Sequence, residues 1–126
     1  MKKMFSALLA PLLMLTGCGG SAEGYRQIGQ QEARERMDAG GVVVLDVREQ
    51  DEYDSGHIPG AVLLPLGTID ETSAEQTIGE KDAGVLVYCR SGSRSKQAAA
   101  KLAKLGYTNV YEFGGIMTWP YEVTTE

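Results

Sequence analysis

Two continuous apolar runs constrain the fold of this 126-residue chain more than any other feature. They are VVVLDV (42–47) and GVLVY (84–88), and both contain several β-branched residues. A strand with one solvent-exposed face would alternate between apolar and polar residues, whereas a strand buried on both faces is continuously apolar. The two runs therefore predict central strands of a parallel sheet that helices cover on both faces.

Helical patterns separate these strands from further short apolar stretches. The predicted strands span 42–47, 61–65, 84–88 and 109–113, and the predicted helices span 29–41, 48–56 and 95–105. Residues 66–83 are polar with only weak helical patches, and 114–123 predict a short turn or helix. Because strands alternate with helices, we expect an α/β domain with right-handed crossovers. The length permits one such domain and not two.

The N-terminal segment has a different pattern. Two lysines precede an apolar run from Met4 to Leu15 in MKKMFSALLAPLLMLTGCGG. A transmembrane helix needs about 20 apolar residues, so this shorter run is more typical of a secretory signal. The following stretch, Leu15-Thr16-Gly17-Cys18, resembles the bacterial lipobox, in which the cysteine is lipidated and becomes the new N-terminus.

The lipobox resemblance implies a division of the chain and a location. Residues 1–17 would be a lipoprotein signal peptide, 18–24 the lipidated N-terminus and tether, and 25–126 the folded domain. Two acyl chains suffice for stable membrane attachment, so the protein would lie outside the cytoplasm, on the outer face of the cytoplasmic membrane or facing a periplasm. The alternative is an ordinary signal peptide or N-terminal anchor with an incidental Cys18.

Composition argues against several classes of function. The net charge is −5 and no basic stripe is visible, which argues against a nucleic-acid partner. One histidine and one free cysteine are too few for a metal site, and the sequence indicates no cofactor. If Cys18 is lipidated, Cys89 is a lone thiol in an exported protein, and such a thiol suggests a reactive site.

The segment YCRSGSRS (88–95) places Cys89 between a predicted strand and a predicted helix. Helix N-termini and nearby cations lower the pKa of a cysteine, and the N–H groups of a tight loop can converge on one anion. Gly92 gives the turn backbone freedom, while Arg94 in the first helical turn opposes the helix dipole unless an anion binds there. The alternative is a buried, inert cysteine, but the polar loop favours a reactive one. Asp46 ends another apolar strand, so we expect it at the same rim of the sheet.

Three motifs, in order, resemble those of single-domain rhodaneses, which are sulfurtransferases. They are DVREQDEYDSGHIPGAVLLPL (46–66), YCRSGSRS (88–95) and GGIMTW (114–119). The resemblance runs from about Tyr25 to Trp119 and implies a five-stranded parallel sheet flanked by helices. It further implies that Cys89 takes a sulfane sulfur from thiosulfate or a related persulfide donor and passes it to cyanide or a thiol.

The resemblance also suggests roles for the residues around Cys89. The persulfide and its donor would be bound by the loop residues Arg90, Ser91, Gly92, Ser93, Arg94 and Ser95, with the two arginines on the sulfonate-like end of the donor. Asp46 and Arg48 would support the site as an ion pair. His57 and Trp119 are expected to be structural. A solvated helix face is predicted for Glu49, Asp51, Glu52 and Asp54.

Two other functions compete with this interpretation. Cysteine phosphatases and arsenate reductases place an arginine six positions after the cysteine, but that position is Ser95 here, and Arg94 comes one residue earlier. The shorter loop suits a single sulfur atom better than a phosphate group. The second alternative is a persulfide carrier or a sensing and interaction module, which would deliver sulfur to an unidentified protein acceptor without rapid turnover.

Overall fold

The computed structural model describes residues 24–126 and contains one five-stranded sheet, with strand order β1-β5-β4-β2-β3 and every neighbouring pair parallel. The strands are β1 Arg26–Gln27, β2 Val42–Asp46, β3 Val62–Leu63, β4 Gly84–Cys89 and β5 Val110–Gly115. The helices are α1 Gln30–Ala39, α2 Gln50–Ser55, α3 Glu71–Thr77 and α4 Ser93–Lys104, with 3-10 turns at Leu66–Thr68 and Ile116–Thr118. The predicted α/β fold is confirmed.

The two apolar runs form the centre of the sheet because β4 lies between β2 and β5. Alternate residues of β4 enter different cores: Val87 packs with Leu102 of α4 on one face, and Leu86 packs with Ala33 of α1 on the other. Burial on both faces explains why these strands are apolar throughout. Cys89 faces the same side as Val87 and α4, so the last strand residue points toward the helix that follows it.

The structure differs from the prediction at the edges of the sheet. Strand β1 was not predicted, because its two residues are exposed and polar. Helix α3 forms within the stretch predicted to be irregular, where Asp70 caps it by accepting a hydrogen bond from the Ser73 N–H at 2.8 Å. Strand β3 is only two residues long, and α4 begins at Ser93 rather than at Ser95.

The predicted signal peptide (1–17), the lipidated Cys18 and the tether up to residue 23 lie outside the described residues. Within residues 24–126, no helix is both long and apolar enough to cross a bilayer.

Candidate active-site loop

The loop between β4 and α4 folds around the sulfur of Cys89. The Gly92 N–H donates a hydrogen bond to Cys89 Sγ at 3.0 Å, which brings the chain back over the cysteine. Gly92 has φ 114°, in the left-handed region that favours glycine, and it immediately precedes α4. Within the first turn of α4 the Ser95 N–H also contributes a hydrogen bond to the thiol.

Cys89 is buried, with 1% of its surface exposed, yet its environment favours the thiolate. Burial is the largest single influence and raises the pKa of the thiol, but hydrogen bonds from the loop outweigh it. These come from the Ser95 hydroxyl and from the backbone N–H groups of Ser95, Gly92 and Ser91. The pKa of Cys89 is therefore lowered from its ordinary value, and a lower pKa makes the nucleophilic form more abundant.

Ser95 and Glu112 form a hydrogen-bonded pair next to Cys89, and both are almost fully buried. The Cys89 thiol lies 3.4 Å from Ser95 Oγ, and Ser95 Oγ in turn donates to Glu112 Oε2 at 2.5 Å. Glu112 also accepts a hydrogen bond from the Gly114 N–H at 2.9 Å within β5, so the bond from Ser95 is the one that ties the start of α4 to β5. Sequence reasoning did not single out Glu112; the available signal was one acidic residue inside the otherwise apolar strand NVYEF.

The two loop arginines have different surroundings. Arg94 forms two hydrogen bonds with the Glu52 carboxylate of α2, from Nη1 at 2.8 Å and from Nη2 at 3.0 Å. The prediction that Glu52 belongs to a purely solvated face was therefore wrong, because α2 packs close enough to the loop to pair with it. Arg90 is exposed, and its carbonyl accepts a hydrogen bond from the Met117 N–H at 3.1 Å.

The Arg94–Glu52 pair makes stability depend on pH. Hydrogen bonding from Arg94 lowers the pKa of Glu52 to about 2, so the pair stabilises the fold fully above the unfolded pKa of about 4.3 and progressively less as pH falls toward 2. We expect Glu52→Gln to lose less unfolding free energy than the wild type between pH 6 and pH 2, by at most about 1 kcal/mol since the pair is partly exposed.

Urea unfolding at several pH values measures this difference. The control is Asp54→Asn on the same helix, because Asp54 bonds to Gln50 rather than to a cation. Equal pH-dependent losses in wild type and Glu52→Gln would contradict the role given to the pair.

Asp46 and Arg48 form the predicted ion pair, and the structure adds Tyr88 to it. The Arg48 Nη2 lies 2.7 Å from Asp46 Oδ2, and the Tyr88 hydroxyl donates to the same oxygen at 2.7 Å. Burial and then the Asp46 charge raise the pKa of Tyr88 far above its ordinary value, so its hydroxyl remains a donor. This network anchors Tyr88, the residue directly before Cys89. None of these hydrogen bonds reaches residues 90–95.

His57 and Trp119 occupy structural positions. The His57 ring stacks on Tyr53 with 3.7 Å between ring centroids, and its backbone pairs with Thr124. Trp119 packs against Phe113 and Tyr121. Within residues 24–126, no group of three or more His, Cys, Asp or Glu side chains is placed to hold a metal ion.

Known proteins are similar to this chain in sequence and in fold. The family model of the rhodanese-like domain matches residues 29–121. Thiosulfate sulfurtransferase GlpE of Coxiella burnetii is 38% identical over 96 residues, covering 75% of this chain and 87% of that protein. Thiosulfate sulfurtransferase PspE of Escherichia coli is 38% identical over 72 residues, covering 57% of this chain and 68% of that protein.

A solved structure of a rhodanese with anions from E. coli has a TM-score of 0.62 at 30% identity, covering 67% of this chain and 98% of that one. The family match includes the whole loop from Cys89 to Ser95, and also the Asp46–Arg48 pair. On these grounds the chain belongs to the rhodanese-like family.

Proposed function

We propose that this protein is a sulfurtransferase that carries a sulfane sulfur on Cys89, taken from thiosulfate or a related persulfide donor. The observation that carries the proposal is the convergence of the Gly92 N–H and the Ser95 hydroxyl on Cys89 Sγ, at 3.0 and 3.4 Å, at the start of α4. Two sequence relatives, GlpE and PspE, are named as thiosulfate sulfurtransferases, which supports the choice of donor.

The first half-reaction forms the persulfide. The Cys89 thiolate attacks the sulfane sulfur of thiosulfate, the S–S bond of the donor breaks, and sulfite leaves with the bonding electron pair. The terminal sulfur of the resulting persulfide is anionic, and the N–H groups of the loop and the N-terminus of α4 stabilise that charge without reorganising. Arg90 is an exposed residue of the loop and can hold the sulfonate-like end of the donor by charge-assisted hydrogen bonds.

The second half-reaction returns the enzyme to its starting state. Cyanide or a thiol attacks the terminal sulfur, the persulfide S–S bond breaks, and Cys89 leaves as the thiolate. Because one covalent intermediate links two separate half-reactions, the steady-state kinetics should be ping-pong. Arg94 contributes through its pair with Glu52, which fixes the first turn of α4 against α2.

Thiocyanate release from thiosulfate and cyanide tests the proposed activity. The full chain should turn over, Cys89→Ser should lose at least about a thousandfold in kcat, and Cys18→Ser should retain activity. Sulfur loading of Cys89 without turnover would identify a carrier that needs a protein acceptor. Activity on phosphate esters instead would favour the phosphatase alternative, against which the loop length argues.

The location proposed for the protein rests on the sequence. The motif Leu15-Thr16-Gly17-Cys18 supports a diacylated Cys18 that anchors the domain to a membrane outside the cytoplasm. Labelling with a radioactive fatty acid in a bacterial host tests it: the wild type should incorporate label and Cys18→Ser should not. Label in both proteins, or in neither, would overturn the anchor.

A further inference from the structure

Glu112 is a buried carboxyl group that the sulfur-transfer steps above do not use. Only 2% of its surface is exposed, although it lies within two hydrogen bonds of the proposed nucleophile. Its Oε1 accepts from the Gln27 side-chain amide at 3.3 Å, and its Oε2 accepts from Ser95 Oγ and from the Gly114 N–H. Within residues 24–126 no lysine or arginine forms an ion pair with it. A buried carboxylate without a cation is costly, so this position requires an explanation.

Ser95 connects Glu112 to Cys89 and has one proton to donate. When the hydroxyl donates to Glu112 Oε2, its oxygen is free to accept the S–H of Cys89, and both contacts are present, at 2.5 and 3.4 Å. Ser95 is fully buried, so water does not compete for either bond. The three groups therefore form a continuous line from thiol to hydroxyl to carboxylate.

We propose that Glu112 accepts the proton of Cys89 through Ser95. The S–H bond breaks and leaves its electron pair on sulfur while Ser95 Oγ gains that proton. Ser95 passes its own proton to Glu112 Oε2, so a thiol and a carboxylate become a thiolate and a neutral carboxyl. The total charge of the three groups is unchanged, and no outside base takes part.

The charges around Cys89, Ser95 and Glu112 favour a state in which the thiol and the carboxyl group carry one negative charge between them rather than one each. Two buried anions at this separation repel each other, and a shared proton removes one of them. Around the loop, α4 contributes Lys96, whose Nζ lies 3.4 Å from Gly92 O, and Arg94, whose charge α2 balances with Glu52. Strand β1 contributes the neutral Gln27.

Because it acts through Ser95, Glu112 is a positioning residue for the reaction, and this inference rests on the proposed function for its biological meaning. Once protonated, Glu112 donates back to Ser95, and Ser95 can then donate to the thiolate. The proton is stored in the site and returns when Cys89 is next protonated. A purely structural Glu112 would hold Ser95 and Gly114 in place without changing how the thiol titrates.

The test is the pH dependence of Cys89 alkylation by iodoacetamide, followed by mass spectrometry of the peptide that contains Cys89. Two groups sharing one proton titrate in two macroscopic steps. The wild type should therefore show two inflections in rate, separated by a plateau on which the rate changes less than about threefold. Glu112→Gln has no second site and should show one inflection, below which the rate falls about tenfold per pH unit.

Ser95→Ala provides a second variant that keeps both titrating groups and removes the bridge. It should lower the plateau rate and displace the upper inflection to higher pH, because the thiolate loses a hydrogen bond. Thermal unfolding verifies that each variant folds, and alkylation in urea verifies that each thiol is intact. A single inflection in the wild type, or two inflections in Glu112→Gln, would overturn the proposal. Alkylation needs no sulfur donor, so a protein that fails to transfer sulfur would still answer this question.

Discussion

Replacing Gly115 with alanine should lower sulfur transfer by about a hundredfold while leaving the chain folded. A Cβ atom at this position would lie 2.0 Å from the Arg90 carbonyl oxygen and 2.6 Å from Ser91 Cα, so these loop residues would have to move. The φ of Gly115 is −141°, which any residue adopts, and the effect is therefore one of contact alone. A displacement of about 1 Å at a catalytic site can cost a hundredfold in rate.

The measurement is thiocyanate formation under saturating thiosulfate and cyanide, with thermal unfolding recorded for each variant. Gly67→Ala is the matched control, because Gly67 is exposed and a Cβ there would meet nothing within 4 Å. Overpacking at Gly115 should also cost about 1–3 kcal/mol of unfolding free energy. If Gly115→Ala kept more than half of the wild-type rate, the close packing of β5 on the loop would not matter for activity.

Asp46→Ala should destabilise the fold by about 3–5 kcal/mol, the second large effect that the structure predicts. The Asp46 carboxylate accepts hydrogen bonds from the Arg48 N–H, Nε and Nη2 and from the Tyr88 hydroxyl, at 2.7 to 3.1 Å. Removing it would leave the Arg48 guanidinium buried without an anion, and only 5% of that residue is exposed. The Tyr88 hydroxyl would lose its acceptor as well.

Urea unfolding at pH 7 measures this loss. Asp38→Ala is the control, because Asp38 also pairs with an arginine but is 65% exposed, and exposed pairs contribute about 0–1 kcal/mol. The Tyr88 link also predicts lower sulfur transfer in Asp46→Ala, since Tyr88 precedes Cys89. A cost below about 1 kcal/mol would show that Arg48 finds another partner or reaches water.

The central architecture could be predicted because it depends on local patterns. Continuous apolar runs identified β2 and β4, and the run of small and apolar residues at one face identified α4. Strand β1 could not be predicted because it is short, polar and exposed, and only its pairing with β5 makes it a strand. Helix α3 depends on the Asp70–Ser73 capping box, a signal that polar neighbours hide in the sequence.

In the candidate site, too, the features set by neighbouring residues could be predicted, and those that depend on tertiary contacts could not. The loop could be predicted because Cys89, Gly92 and Ser95 are neighbours in sequence and their spacing sets the turn. The partner of Arg94 could not, because Glu52 lies 42 residues away and becomes a neighbour only when α2 packs against α4. Glu112 was missed for a related reason: the strand pattern predicts its burial, but nothing local shows that Ser95 faces it.

The intact mass of the protein after incubation with thiosulfate alone, without an acceptor, decides whether Cys89 carries the sulfur. The wild type should gain the mass of one sulfur atom, cyanide should remove it, and Cys89→Ser should gain nothing. The Cys18→Ser variant should load sulfur like the wild type. If the wild type gained no mass, or if Cys89→Ser gained the same mass, Cys89 would not be the residue that carries the sulfur.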